Sequence, residues 1–172
     1  MSFKPGGRGK DRSDPFAMLE RSHARLQEQL SLLLGTAAEL HDAPHDPAAR
    51  ARVVEIADFL EHSIARHELD EEQSLFPRVR DRYAQIIDTL EAEHRSQQKL
   101  HHELRALAEA CERDELDEPL LAHLSDLAMT LAKSYSHHIE IEELELFPHA
   151  RVVLHASVRA EMAAEMQARR GR

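Results

Sequence analysis

Two histidines in this chain are each followed four residues later by a glutamate: His67 by Glu71, and His138 by Glu142. On a helix that spacing stacks both side chains on one face, one turn apart, so an imidazole and a carboxylate converge on one point. Both pairs open the same eleven-residue phrase, HELDEEQSLFP at 67–77 and HIEIEELELFP at 138–148. The copies share six identities, where chance would give about one. The phrase therefore reports a duplication with an offset of 71 residues (138 − 67). The same offset carries Leu19, Glu20 and His23 onto Leu90, Glu91 and His94, which adds two further imidazoles. Four imidazoles and at least two carboxylates form a mixed nitrogen and oxygen ligand set. Such a set suits iron, and also manganese or zinc, whereas calcium and magnesium favour oxygen alone. Two ions fit the ligand count better than one, because two can share Glu71 and Glu142 as bridges. Without a cation, burying those carboxylates would be very unfavourable.

The elements that must position these residues are helices. An apolar stripe at three-four spacing, Val53, Ile56, Leu60 and Ile64, repeats as Leu124, Leu127, Leu131 and Tyr135, and it continues onto His67 and Glu71 and onto His138 and Glu142. The ligand candidates thus lie on the buried stripe. A first helix is expected from Pro15 to His41, with Ser13 or Asp14 as cap and Leu19, His23, Leu26, Leu30 and Leu33 facing inward. A second runs from Ala48 to Leu75 and ends near Phe76-Pro77, because the residue before proline is pushed out of helical geometry. A third spans Tyr83 to Glu112, and a fourth Pro119 to Leu146, ending at Phe147-Pro148 as the second did. Short connections make this an all-α, up-down-up-down four-helix bundle built from two helix-pair repeats. At about 1.5 Å rise per residue, all four repeated histidines fall roughly 12–17 Å from the same end. Packing alone does not require that agreement.

Residues 1–13 combine Gly, Pro, Lys and Arg without periodicity and are expected to form a disordered basic tail ahead of a bundle domain at 14–148. Residues 149–172 have helix-forming composition, with Val152, Val153, Met162 and Met166 apolar, and are expected to be an additional C-terminal helix that docks on the bundle or mediates a homodimer. A net charge of −10 argues against a general nucleic-acid or anionic-membrane binder. No apolar leader and no run of about 18 apolar residues is present, so a cytoplasmic protein without a membrane span is expected. The single Cys111 excludes an intramolecular disulfide and a thiolate metal cage.

His23, His67 with Glu71, His94, and His138 with Glu142, together with both Leu-Phe-Pro sequences, resemble the hemerythrin-like, or HHE cation-binding, domain family. The resemblance covers roughly residues 15–148, with its elements in order. It implies a four-helix bundle holding a non-haem di-iron centre bridged by two carboxylates and an oxygen species. The oxygen carriers of that family place a second histidine four residues after the first on the third helix, where this chain has Gln98, and an aspartate where it has Glu143. Glu68 matches an additional carboxylate ligand found within the family, which gives a metal set of His23, His67, Glu68, Glu71, His94, His138 and Glu142.

The remaining polar residues carry open alternatives. Glu68 is rotated about 100° from His67 on a helix and its repeat counterpart is Ile139, so one metal alone can receive the extra carboxylate. Glu72 and Glu143 either orient histidines through the other ring nitrogen or face solvent. Tyr135, one turn before His138, either donates to an oxygen ligand in the pocket or merely packs. His101 lies on the buried stripe about 10 Å from His94, too far to share an ion. The leading function is reaction with O2, H2O2 or NO at the di-iron centre, as a catalase-like scavenger or a sensor. An iron-sensing module read by a partner through metal-linked folding is the alternative, and a purely structural metal bundle the third.

Overall fold

The computed structural model describes residues 14–171, and the basic segment 1–13 lies outside the described residues. The described chain is helical from end to end. Helix α1 (Pro15–Asp42) is capped by Asp14, whose side chain accepts from the Phe16 N–H, and α2 (Pro47–Phe59) by Asp46, which accepts from the Ala48 and Ala49 N–H groups. In both, proline takes the first helical position, where a missing N–H costs nothing. The second rod then continues through a π-helical turn (Leu60–Ile64), α3 (Ala65–Asp70) and another π turn (Glu71–Leu75) into α4 (Phe76–Glu112). Helix α5 (Glu118–Ile141), capped by Asp117 through the Leu120 N–H, passes through a π turn (Glu142–Leu146) into α6 (Phe147–Val153), and α7 (Ala156–Arg170) follows.

The two Leu-Phe-Pro sequences do not stop their helices, contrary to the expectation from proline. In each case a π turn precedes the proline. Phe76 N–H donates to Glu71 O and Phe147 N–H to Glu142 O, five residues back instead of four. The wider turn carries the carbonyls past the imino ring, and the Arg78 guanidinium donates to the Ser74 carbonyl at 2.7 Å. The rod therefore runs on, and the turn between the second and third long helices falls instead at a kink at Tyr83 (φ −130°, ψ 31°).

Helix α1 packs on α2 and α5, and α4 packs on the same two, so four long helical rods enclose one interior, consistent with a helical bundle. The interior is divided. One apolar cluster is built around Leu33, Leu40, Val53, Leu60, Leu104, Leu124 and Leu131, and another around Phe16, Leu19, Leu75, Phe76, Leu90, Leu146 and Phe147. Helix α7 seals the second cluster with Met162 and Met166 and clasps α3: Arg169 and Arg170 reach the fully buried Asp70 carboxylate at 2.9 and 2.7 Å. Among the described residues, no helix is long and apolar enough to cross a membrane.

Candidate metal centre

A buried polar layer lies between the two apolar clusters. It contains His23 from α1, His67 from α3, His94 from α4 and His138 from α5, each no more than 3 % exposed, with Glu71 and Glu142 fully buried. The two glutamates occupy the first positions of their π turns, a local widening that recurs at functional sites. One extra residue in the turn also rotates the downstream side chains by about 100°. That rotation brings Phe76 flat beneath the His94 ring, with centroids 6.0 Å apart, and Phe147 beneath His23 at 5.7 Å. Each phenylalanine of the repeated phrase thus packs on an imidazole of the other half.

The ligand atoms form two groups that share one carboxylate. His23 Nε2 and His67 Nε2 lie 3.1 Å apart, and so do His94 Nε2 and His138 Nε2. Glu71 divides its oxygens between them: Oε1 is 3.0 Å from His67 Nε2, and Oε2 is 3.3 Å from His94 Nε2. Glu142 Oε2 lies 3.0 Å from His23 Nε2 and 3.5 Å from His138 Nε2. Histidines 23 and 67 with both glutamates make one set able to hold a cation, and Glu71 with His94 and His138 makes another. Asp58, Glu61 and His62 also converge, but they are exposed and both carboxylates are engaged by Arg105.

Behind the layer, carboxylates fix the rings. His23 Nδ1 donates to Glu143 at 2.8 Å, His94 Nδ1 to Glu72 at 2.8 Å, and His138 Nδ1 to Glu93 at 2.9 Å. With Nδ1 carrying the proton, each Nε2 presents a lone pair to the neighbouring Nε2. Facing lone pairs and fully buried carboxylates repel unless a cation lies between them, so this donor set fits a metal. All four oxygens of Glu71 and Glu142 lack a hydrogen-bond partner, as such a site requires. In the metal-free chain protons supply the charge. Burial alone would lower the His23 imidazole, but Glu142 and Glu71 outweigh it and hold it up to about 11; for His94 the same competition, with Glu71 and Glu72 prevailing, gives about 10. Burial raises Glu71, yet His67, His23 and His94 together hold it well below the usual carboxylate range.

Glu72 and Glu143 therefore orient histidines, each on a neighbouring helix and not on its own. Glu93 does the same and was not apparent from sequence, because its repeat counterpart is Ser22 and its adjacency to His94 conceals its action on His138. His67, the repeat counterpart of His138, has no hydrogen-bond partner at Nδ1. Glu68 is buried but outside both ligand groups: Oε2 accepts from Gln98 Nε2 at 3.2 Å, and Oε1 is unpartnered. Burial raises its pKa and the nearby His94 lowers it; its hydrogen bond to Gln98, one turn after His94 on α4, puts Glu68 on the His94 side. Tyr135 is 2 % exposed, its ring edge-on to His138, and its phenol lies 2.6 Å from His101 Nε2.

Fold and site together define a helical bundle whose buried histidines and glutamates can hold metal cations. The chain belongs to the hemerythrin HHE cation-binding domain family, which matches residues 14–150. No curated protein and no solved structure matches the chain.

Proposed function

We propose that this chain holds two iron ions in the polar layer and uses them to react with a small ligand: H2O2, O2 or NO. His23, His67 and Glu142 would hold one ion, His94 and His138 the other, with Glu71 shared. The observation that carries the reading is the division of Glu71, whose two oxygens each lie against a different imidazole pair. The ring of neighbours α1, α2, α4 and α5 supports an up-down-up-down order made from two helix-pair repeats. Nitrogen-rich donors favour iron over calcium or magnesium, with manganese and zinc less suited to the proposed reactivity. Iron bound there supplies electron transfer to or from oxidising and diatomic ligands. The protein's own contribution is positional. Glu143, Glu72 and Glu93 hold three rings with Nε2 turned inward, Phe76 and Phe147 close one side of the layer, and the surrounding leucines limit water. Glu68 adds a carboxylate to one half alone, so the two ions are inequivalent.

Anaerobic reduction of the iron-loaded chain, followed by O2, NO or peroxide, tests the proposal. Rapid change in the visible spectrum with turnover is the expected result. Change without turnover moves the protein to the sensing alternative, and no change leaves a structural site.

A further inference from the structure

The molecule carries two surface pockets that are counterparts under the 71-residue offset, one lined by imidazole and charged groups and the other without them. The first, about 170 Å³, lies where Glu61 and Ala65 face Gln98, His101, His102 and Arg105 of α4. The second, about 130 Å³, is lined by Ala132, Ser136, Gln27, Leu30, Ser31 and Leu34, the same six positions in the other half, together with Tyr135. Chemistry distinguishes them position by position. His101 corresponds to Leu30, Arg105 to Leu34 and Glu61 to Ala132. The pattern continues inward: Glu68 corresponds to Ile139, and Tyr135 to Ile64. Gln98 donates to Glu68 in one half, whereas the counterpart of Glu68 in the other is Ile139, which cannot accept.

We propose that the polar pocket is the entrance by which a small, uncharged, hydrogen-bonding molecule reaches the centre, which favours hydrogen peroxide over oxygen or nitric oxide. The inference deepens the di-iron reading and rests on it. Its floor leads to the centre by two hydrogen-bonded steps. From Gln98 the route passes to Glu68, whose second oxygen is buried without a partner; from His101 it passes to Tyr135, whose ring meets His138. One wall is the π turn Leu60–Ile64 with Ala65 just after it, and the corresponding stretch of the other half runs unbroken within α5. A π turn in one copy alone is local widening in the place where an opening is needed. Burial holds His101 neutral, down at about 4, so the step offers hydrogen bonds and no fixed charge. Such a lining gives nothing to an apolar diatomic, whereas peroxide can donate and accept at both ends. The twin, with Leu30, Leu34 and Ala132 in place of His101, Arg105 and Glu61, makes the comparison internal.

The test uses the full, iron-loaded chain and measures iron per chain before anything else. Ala65→Phe fills the polar pocket, Ser136→Phe fills its twin, and His101→Leu installs the twin's residue. The rate of the visible spectral change is then followed with hydrogen peroxide and, separately, nitric oxide. Iron content should be unchanged in all three. Ala65→Phe should slow the peroxide reaction about tenfold or more, with Ser136→Phe near wild type, and His101→Leu should slow peroxide while sparing nitric oxide. An Ala65→Cys chain, loaded with iron and only then alkylated with a bulky maleimide, repeats the block on folded protein; Cys111, buried and with its thiol pushed up to about 11, leaves the label at position 65. Full-speed reaction with both blocks in place, or equal slowing by Ser136→Phe, overturns the entrance. Equal loss with both ligands in His101→Leu overturns the selection for peroxide. A wild-type chain that takes up no iron overturns the metal reading, and the entrance with it.

Discussion

Three of the four core imidazoles are held from behind by carboxylates, and those contacts decide what the inward nitrogens can do. Removing such a partner leaves the ligand in place but frees its orientation and tautomer, at a typical cost of about 10–100-fold in metal affinity. Glu93→Gln should therefore weaken iron retention by roughly that factor, as measured by competition with a chelator, with the helical spectrum intact; unchanged retention would show that Glu93 is an ordinary surface partner. Glu72→Ala should act likewise through His94, although its place beside Glu71 in sequence suggests solvent as readily as a role. Ser22→Glu offers the converse, supplying the partner that His67 Nδ1 lacks, and should slow iron loss to the same chelator. The buried cluster of histidines and glutamates was legible because stacked His and Glu recur at one offset on an apolar stripe. Glu72 and Glu143 were legible as candidate orienting carboxylates, but neither the histidine each serves nor the role of Glu93 was, because all three act across helices and helical periodicity describes a single helix.

At the scale of elements, the π turns are what periodicity could not supply. A stripe at three-four spacing fits an α-helix and predicts a stop before each proline, whereas the chain widens by one residue and continues. The start of α1 was readable, since Asp14 before Pro15 supplies both cap and first-turn geometry. The clasp of α7 on α3 was expected only as a docking helix, its anchors being unreadable: Asp70 lies in the repeated phrase, but its counterpart is Ile141. Arg169→Ala with Arg170→Ala strips both cations from a fully buried carboxylate. Since both arginines are partly exposed, a loss of about 1–3 kcal/mol is expected, read as a lower denaturation midpoint. Adding Asp70→Asn should restore part of it; no recovery would mean that α7 is held by Met162, Met166 and the contacts of Glu165 with Arg78 and Ser74, and not through Asp70.

For the whole molecule, the decisive feature is a charged layer between two apolar clusters, which couples metal to folding. Without metal, protons must serve. His23 and His94 are raised above the ordinary 6.5, so the stability they lend is complete below 6.5 and is lost as pH rises toward about 11 and about 10. His101 is depressed to about 4, so its contribution is present above 6.5 and is lost as pH falls toward 4. Glu71, also depressed, contributes above 4.5 and loses that contribution as pH falls further. The metal-free chain should therefore melt highest near neutrality, and its melting temperature should fall between about pH 7 and 9. Iron replaces the protons, so the loaded chain should lack that alkaline decline, and parallel curves with and without iron would contradict the coupling. A helical bundle with a buried histidine and glutamate cluster was visible in the repeat; the split core was not, because both clusters lie on the same stripes and only packing separates them.

The central claim is that one layer holds two ions, and counting them tests it most directly. The chain should be loaded anaerobically with ferrous iron, freed of loosely bound metal, and assayed for iron and protein, beside a His94→Ala/His138→Ala variant. The account predicts two irons per wild-type chain and one in the variant, because His23, His67, Glu71 and Glu142 remain as a complete set. One iron or none in the wild type, or no difference between the two proteins, would contradict it.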